Sequence, residues 1–494
     1  MADRADNNKP NNPSGPNDPA NPPPPPLVML HLGLGSFHRA HQAVYQQALH
    51  DAGDARWVLA GGNIRPDMAE TIDALQASGG AYTLETVNPA GQRHYQRITA
   101  IRQVIGHDAA LAGLIACGAD PATRIVSFTV TEAGYYLDAH DKLDLGFADL
   151  AADVAASRNG RPHPATPTIY GALTAILRAR RAAGAGPLTL LCCDNLRHNG
   201  DRSRSGLLQF ITLIGDADLR AWVQANTRSP NAMVDRITPR PTRDVRDRVR
   251  AATGSDDPAA LMSEHFIQWV IEDSFAAGRP AWEAVSVQIV ASVDAFEEAK
   301  IRLLNATHSC IAWAGTLLGL AYIHEGTLHP AIRRMAFDYV TDDVIPVLSL
   351  AGQPGPIDLL AYRDEVLDRF GNAGVADTNQ RVAMDGFSKI PGFVVPTIRE
   401  RLARGESIAS VAMLPALFLA YLQRWHQGRI PYTYQDQAMD AAVAHAICAA
   451  ADPVAAFCAD AALWGPLAGD ARLLAALRAA AARVDQFIQG HCRS

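Results

Sequence analysis

The sequence predicts an α/β protein with an N-terminal, doubly wound parallel sheet followed by a mainly α-helical domain. Two observations lead to this prediction. Between Leu27 and Ser292, short apolar runs alternate with segments of helical periodicity, as in sheets whose parallel strands are joined by helices. Beyond Ser292, Ala- and Leu-rich helical segments follow one another, separated by Gly and Pro. We therefore expect a tail at residues 1–26 and domains at residues 27–291 and 292–494.

Each predicted element is assigned from its pattern of apolar residues. Short apolar runs are assigned as strands, and segments that repeat apolar residues at helical spacing are assigned as helices. The predicted strands are Leu27–Leu32, Arg56–Ile64, Arg124–Val130 and Gly186–Asn195. The predicted helices of the first domain are Phe37–Leu49, Asp67–Ala77 and Thr168–Ala183. In the second domain, Asp294–Glu325 is predicted to form one long helix.

Composition and charge exclude several classes of protein. The chain has 494 residues, of which 48% are hydrophobic and 19% are charged, as in ordinary globular proteins. Its net charge of −7 provides no basic surplus for nucleic-acid binding. The seven cysteines are scattered without a C-x-x-C pair, which disfavours a zinc ribbon or a disulfide framework and favours a reducing cytoplasm.

No segment predicts a membrane span or a secretion signal. Uninterrupted apolar runs of about 18 residues are absent from the sequence. The Asn- and Pro-rich tail, residues 1–26, lacks the apolar segment of a signal peptide. A tail of this composition is predicted to be disordered.

Three loops that follow predicted strands carry clusters of polar residues. They are GLGSFHRAH after Leu32, TEAGYY after Val130 and DNLRHNG after Cys193. Because parallel strands end at the same edge of a sheet, we expect these loops to line one crevice for a cofactor.

The first loop resembles half of a dinucleotide-binding turn. Gly33 and Gly35 lie between a strand and a helix, where a Rossmann-like domain brings its backbone close to a pyrophosphate. The third glycine of that pattern is missing. The two glycines by themselves therefore leave open whether this loop is a nucleotide site or only a glycine-rich turn.

The end of the second predicted strand supplies the candidates for ribose binding. An acidic residue is expected there, about 20 residues beyond the glycines. The sequence reads GGNIRPD, which makes Asn63 and Asp67 the candidates. Arg65 lies between them and could accommodate a 2′-phosphate. These residues therefore leave the choice between NAD and NADP open.

Lys300, one of only four lysines, is the main candidate for acid–base chemistry. On an α-helix, Lys300, Asn305 and His308 would fall within an arc of about 140° that also holds apolar residues. Burial lowers the pKa of a lysine and makes it usable as a base. The alternative is that the lysine extends to solvent and that the amide and imidazole have structural roles.

Two other patterns are excluded by spacing. His324, Glu325 and His329 do not form the zinc motif H-E-x-x-H, because the histidines are five residues apart instead of four. A tyrosine is absent four residues before each lysine, which excludes the Tyr-x-x-x-Lys base of short-chain dehydrogenases. If the protein is a nicotinamide-dependent enzyme, we therefore expect it to use a lysine as the base and to work without a metal.

Six segments in order resemble the mannitol dehydrogenase family of polyol-specific long-chain dehydrogenases. They are GLGSFHRAHQ, VTEAGYY, CDNLRHNG, PNAMVDRITP, KIRLLNATHS and NQRVAMDGFSKIP, and the resemblance extends from about Leu27 to the C-terminus. The first segment reproduces the family's turn, Gly-x-Gly-x-Phe-x-Arg-x-His. The resemblance therefore favours a nucleotide site over a simple glycine-rich turn.

The resemblance implies a role for each candidate residue. Lys300 would be the general base, and Asn195 and Asn305 would form an oxyanion hole. The implied substrate contacts are Asp235, Asn305, His308 and Arg381. The implied cofactor-binding residues are Gly33, Leu34, Gly35, Ser36, Phe37, Asn63, Asp67, Thr131 and Glu132. Glu132 is also a candidate for carrying the proton from the lysine to solvent.

The resemblance is strongest to the members that act on D-arabinitol, which implies metal-independent oxidation of D-arabinitol to D-xylulose with NAD. Oxidation of D-mannitol and reduction of a fructuronate-type sugar acid stay open, because the sequence does not reveal the length of the pocket. A catalytically inactive NAD-binding sensor is a further alternative. The expected partner is a small polyol or ketose, without nucleic acid or membrane, and the expected state is a monomer or small homo-oligomer.

Overall fold

The computed structural model describes residues 25–130, 132–138, 140–349 and 355–491. Of the predicted tail, residues 1–24 lie outside these ranges, as does Thr131. At Glu132 the structure describes the backbone and not the side chain.

The described residues form three sheets. Their strands are β1 (Leu27–Leu32), β2 (Trp57–Gly62), β3 (Tyr82–Val87), β4 (Arg93–Ile98), β5 (Ile101–Val104), β6 (Thr123–Phe128), β7 (Leu188–Cys192), β8 (Thr227–Arg228), β9 (Ala232–Asp235), β10 (Leu261–Glu264), β11 (Gln268–Glu272) and β12 (Gln288–Val290). The four strands predicted from sequence are β1, β2, β6 and β7, each within a few residues of its predicted ends.

The central sheet has six parallel strands in the order β5-β2-β1-β6-β7-β8. The chain proceeds from β1 to one side of the sheet and returns to the other side of β1 at β6. Counted within this sheet alone, this is the 3-2-1-4-5-6 order of a dinucleotide-binding fold. The strand order reverses between β1 and β6, where such folds bind their ligands.

Both faces of the central sheet are buried, which confirms the doubly wound prediction. Leu30 and Val126 pack into one apolar cluster with helices, while their neighbours Met29 and Ile125 pack into a second cluster on the opposite face. This alternation follows because successive side chains of a strand point to opposite faces. Parallel sheets are covered in this way by their crossover helices.

Two three-stranded sheets were not predicted from the sequence. Their orders are β10-β3-β4 and β12-β11-β9. β4 is mostly polar and exposed, the apolar residues of β3 are interrupted by Thr and Glu, and the other four strands have three to five residues, so none shows the apolar run of a central strand.

The helices of the first domain are α1 (Ser36–Ala40), α2 (Gln42–Asp51), α3 (Ala69–Ala77), α4 (Ala112–Ala119), α5 (Ala148–Arg158), α6 (Ile169–Ala183), α7 (Asn199–Leu213), α8 (Ala217–Asn226) and α9 (Arg243–Thr253). One predicted helix, Phe37–Leu49, is in fact broken at His41, between α1 and α2. Its backbone leaves the helical region there (φ −124°, ψ −85°), and its Nε2 lies 2.8 Å from the carbonyl oxygen of Gln268 in β11. A tertiary contact thus overrides the local helical periodicity.

From Asp294 onward the described residues contain helices and no strand. The helices are α10 (Asp294–Ala299), α11 (Ala306–Leu317), α12 (Ile323–Leu328), α13 (Pro330–Tyr339), α14 (Ile345–Leu348), α15 (Leu359–Phe370), α16 (Asn379–Ala383), α17 (Gly386–Lys389), α18 (Val395–Ala403), α19 (Met413–His426), α20 (Ala441–Ala449), α21 (Pro453–Cys458), α22 (Ala461–Trp464) and α23 (Ala471–His491). Segments Lys300–Asn305, Val340–Val344 and Ile390–Val394 are π-helical.

The predicted long helix Asp294–Glu325 is not continuous. It runs through α10, the π-helical segment and α11, and then ends near Gly319, whose φ of +76° is a left-handed conformation that glycine adopts without strain. The remaining residues belong to a loop and to α12. Among the described helices, none is long and apolar enough to cross a membrane.

Candidate active site

Two cavities contain most of the residues singled out from the sequence. The first has a volume of about 560 Å³ and is bordered by the loops that follow β1, β2 and β6. Five predicted cofactor residues line it: Gly33, Gly35, Phe37, Asn63 and Asp67. Of the other predicted cofactor residues with described side chains, Leu34 is fully buried and Ser36 begins α1.

The turn after β1 is held in shape by backbone conformation and by Asn63. Gly33 has a φ of +107°, a conformation that favours glycine. The backbone N–H of Leu34 donates to Asn63 Oδ1 at 2.8 Å, and Asn63 Nδ2 donates to the carbonyl of Asp67 at 3.0 Å. Asn63 therefore ties the glycine turn to the loop after β2, and Asp67 is left exposed beside the cavity.

The first cavity fits a dinucleotide. A Cβ built on Gly35 meets no atom within 4 Å, so the backbone of the turn borders open space. The buried hydroxyl of Thr129, which also lines the cavity, has no hydrogen-bond partner among the described residues. A glycine turn with open space, an unsatisfied hydroxyl and a position at the reversal of strand order are what the pyrophosphate and ribose of NAD require.

The second cavity, of about 610 Å³, lies between the two domains. Four predicted catalytic or substrate residues line it: Asn195, Asn305, His308 and Arg381. The sequence separates these residues by almost 190 positions, and the fold brings them together because Asn195 follows β7 whereas the other three lie in the helical domain. Arg197 of the DNLRHNG loop also lines it, as does Lys389, for which the sequence suggested no role.

Lys300 is buried behind this cavity. Its side-chain ammonium donates to Asn195 Oδ1 and to the carbonyl of Val234, both at 2.6 Å. Burial lowers the pKa of Lys300, an effect that the nearby carboxylate of Asp235 partly opposes. Together with Glu297, the lysine borders a third, water-sized cavity of about 10 Å³. Asn195 borders both this small cavity and the 610 Å³ cavity.

The π-helical segment begins at Lys300 and ends at Asn305. A π-helix bonds residue i to residue i+5, which brings residues five apart towards the same side of the helix. This geometry aligns Lys300 and Asn305 more closely than the α-helix assumed from the sequence. It could not be predicted, because the sequence pattern of a π-helix resembles that of an α-helix.

His308 is held by two neighbours. Its Nε2 lies 3.2 Å from Asp377 Oδ2, and its ring stacks on Phe370 at 4.3 Å between centroids. Burial lowers the pKa of His308, whereas the hydrogen bond and the charge of Asp377 act in the opposite direction; the net lowering favours the neutral imidazole. Asp377 also accepts two hydrogen bonds from Arg381. The sequence analysis missed Asp377, for which the only local signal is its spacing of four residues from Arg381.

Asp235 lies apart from both large cavities. Its two carboxylate oxygens accept from Arg369 at 2.7 and 3.0 Å, and Arg369 also bonds Glu264 at 2.7 and 2.9 Å. All three side chains are at most 5% exposed. Asp235 follows Val234, whose carbonyl holds Lys300, so the structure places it behind the lysine. Direct contact of Asp235 with a polyol stays a prediction.

One group of possible metal ligands occurs among the described residues. Ligand atoms of His198, Asp294 and Glu297 lie within 4.8 Å of one another. His198 and Asp294 are exposed, and Glu297 accepts hydrogen bonds from the backbone N–H of His198. None of the three residues lines either of the two large cavities.

Comparison with known proteins finds two family models that match this chain. A family model described as the mannitol dehydrogenase Rossmann domain matches residues 28–284, and one described as the mannitol dehydrogenase C-terminal domain matches residues 292–485. Together the two models cover most of the described residues.

Similar proteins include two D-arabinitol 4-dehydrogenases. That of Ralstonia nicotianae is 60% identical over 93% of this chain and 97% of its own length. That of Klebsiella pneumoniae is 52% identical over 93% of this chain and 98% of its own length. Among solved structures, the Pseudomonas fluorescens mannitol 2-dehydrogenase, in a ternary complex with NAD and D-mannitol, matches with a TM-score of 0.80 at 33% identity and covers 94% of each chain. The chain belongs to the mannitol dehydrogenase family.

Proposed function

We propose that this protein is an NAD-dependent polyol dehydrogenase that oxidises D-arabinitol to D-xylulose with Lys300 as the general base. The observation that carries the proposal is the 2.6 Å contact of the buried Lys300 amine with Asn195, which lines a cavity bordered by polar groups. The choice of D-arabinitol is supported by the two relatives at 60% and 52% identity.

Proton removal is the task of Lys300. Its lowered pKa keeps a larger fraction of the amine neutral at a given pH than in an exposed lysine. The neutral amine accepts the proton of the substrate hydroxyl. This transfer takes place where Asn195 and Ile301 separate the 610 Å³ cavity from the water-sized cavity beside the lysine. When bound, NAD supplies the acceptor for the hydride that leaves the same carbon.

Asn195 and Asn305 stabilise the oxygen that becomes a carbonyl. An ammonium can only donate, so the contact with Lys300 fixes the oxygen of the Asn195 amide towards the lysine. The amide NH₂ is thereby left to donate to a substrate oxygen. Asn305 lines the same cavity and supplies a second amide. Two preorganised donors favour the developing negative charge over the neutral hydroxyl.

The remaining hydroxyl groups of the polyol require partners of their own, because a buried hydroxyl without a hydrogen bond costs about 1–3 kcal/mol. With Nε2 facing the Asp377 carboxylate, a neutral His308 carries its proton on Nε2 and offers Nδ1 as an acceptor. Arg381 lines the cavity and supplies donors.

The proton must then leave Lys300. Two described carboxylates, Glu297 and Asp194, border the water-sized cavity beside the lysine, and that of Asp194 already accepts from the backbone N–H of Val130 and the hydroxyl of Tyr135. We propose that Glu297 takes part in proton exit, beside or in place of Glu132. In this scheme the two amides stabilise the substrate oxygen, as a Lewis-acidic metal would, and the lysine accepts the proton. The reaction therefore needs no metal.

Product identification tests the proposal. Purified protein is incubated with NAD and D-arabinitol, and the ketose is identified by chromatography against standards. Oxidation at C4 gives D-xylulose, which is the expected product, whereas oxidation at C2 gives D-ribulose. If the protein oxidises D-mannitol to D-fructose faster than it oxidises D-arabinitol, it belongs to the mannitol-oxidising branch. Binding of NADH without turnover of any polyol would favour the sensor.

A further inference from the structure

Arg65 occupies the position at which the cofactor preference of a Rossmann fold is decided. It follows β2 by three residues, where an acidic residue binds the ribose of NAD and an arginine accommodates the 2′-phosphate of NADP. It lines the first cavity together with the glycine turn. By position alone, Arg65 would attract a 2′-phosphate.

The guanidinium of Arg65 is instead engaged by neighbouring residues, which makes it unavailable to a 2′-phosphate. Its Nη2 donates to Asp149 Oδ2 at 3.1 Å and to the hydroxyl of Tyr136 at 3.0 Å, and its Nε donates to the carbonyl of Pro167 at 3.2 Å. Tyr136 in turn donates to Asp149 at 2.5 Å. Asp149 lies in the first turn of α5, and its side chain is only 29% exposed.

The charges around the cavity point in the same direction. Among the described residues that line it, Arg65 is the only cation, and Asp67 and Asp149 are the only acids. A dianionic 2′-phosphate would therefore meet one cation that is already paired and two carboxylates. A ribose with a free 2′-hydroxyl can instead donate to a carboxylate.

We propose that Asp149 sets the cofactor preference by pairing with Arg65, so that the described residues of the cavity offer no unpaired cation to a dinucleotide with a 2′-phosphate. Asp149 acts through Arg65 and is thus a positioning residue for cofactor specificity. The inference rests on the proposed binding of NAD in this cavity. It predicts that one neutral substitution, Asp149→Asn, releases Arg65 and opens the site to NADP.

Calorimetric titration of the full chain with 5′-AMP and 2′,5′-ADP tests the proposal without any turnover. In Asp149→Asn, an amide oxygen still accepts from Tyr136, so the loop is retained. We expect the affinity for 2′,5′-ADP to rise about tenfold or more, as for a new charge-assisted hydrogen bond. The affinity for 5′-AMP should change less than about threefold. Asp144→Asn, which removes an exposed acid outside the cavity, is the charge-matched control.

Two further variants separate release of Arg65 from a simple loss of negative charge. Arg65→Gln in the wild-type background should change the affinity for 2′,5′-ADP less than about twofold, because the paired arginine contributes little attraction. In Asp149→Asn/Arg65→Gln, the gain should disappear.

An unchanged ratio of the two affinities in Asp149→Asn, or a gain that persists in the double variant, would overturn the proposal. Failure of the wild type to bind 5′-AMP would overturn it together with the assignment of NAD. Nucleotide binding as expected without oxidation of D-arabinitol would contradict only the proposed substrate. As a second readout, kcat/KM for NADP relative to NAD should rise in Asp149→Asn by a factor similar to that of the affinities.

Discussion

The side-chain nitrogen of Lys300 lies 2.6 Å from the amide oxygen of Asn195, across the boundary between the two domains. Asn195 follows β7 of the central sheet, and Lys300 begins the π-helical segment of the helical domain. The proposed catalytic base is therefore positioned by the packing of one domain against the other.

Lys300→Ala should lower kcat for D-arabinitol oxidation by about 10²- to 10⁴-fold, because the variant lacks the general base. A small primary amine added to the buffer should restore part of the rate if the lysine acts only as a proton acceptor. Lys142→Ala, at an exposed lysine of the first domain, is the matched control and should keep its full rate. Undiminished turnover by Lys300→Ala without added amine would refute the mechanism.

The rate should depend on pH through the lysine. Oxidation needs the neutral amine, so kcat/KM for D-arabinitol should rise with pH and reach a plateau. Because burial lowers the pKa of Lys300, the midpoint of this rise should lie below 10.5, the ordinary value for lysine. Ketose reduction needs the ammonium and should fall over the same range. A midpoint at or above 10.5 would show that another group limits the reaction.

Asn195→Ala and Asn305→Ala should each lower kcat/KM by about 10²- to 10³-fold through loss of an oxyanion donor. Only Asn195 also touches the lysine. Loss of its amide oxygen removes a partner of the ammonium form, so Asn195→Ala should shift the pH midpoint downward. The profile of Asn305→Ala should keep the wild-type midpoint. Equal shifts in both variants would contradict the assigned orientation of the Asn195 amide.

Arg369→Met should destabilise the fold by about 3–5 kcal/mol, because it leaves two buried carboxylates, Asp235 and Glu264, without their cation. The control is Arg333→Met, which breaks an exposed pair with Asp368 and should cost less than about 1 kcal/mol. Urea denaturation of both variants measures the difference. In Arg369→Met the deficit should shrink as the pH falls, since protonation of the two acids removes their buried charge. Equal destabilisation by the two substitutions would contradict this interpretation.

The sequence predicts the central sheet better than it predicts the local geometry around the candidate site. Strands β1, β2, β6 and β7 are short apolar runs buried on both faces, a pattern that local sequence reveals. The break at His41 depends on a carbonyl more than 200 residues away in β11, which no local pattern encodes. Tertiary contacts of this kind override helix propensity.

Within the site, residue type was easier to predict than partnership. Lys300, Asn305 and His308 could be grouped by their spacing on one helix, and in the structure Lys300 and Asn305 lie in a π-helical segment that continues into α11 with His308. The ion pairs of Asp235 with Arg369 and of Arg65 with Asp149 join elements that are distant in sequence. Only the fold brings these charges together, so the sequence alone could not predict either pair.

The most direct test of the account is a comparison of initial rates with NAD on D-arabinitol and D-mannitol after treatment of the protein with a chelator. We expect kcat/KM for D-arabinitol to exceed that for D-mannitol at least about tenfold, a difference of about 1.4 kcal/mol between the two transition states. Chelation should leave both rates unchanged. A preference for D-mannitol would contradict the proposed substrate, and loss of activity that returns on adding zinc would contradict the metal-independent lysine mechanism.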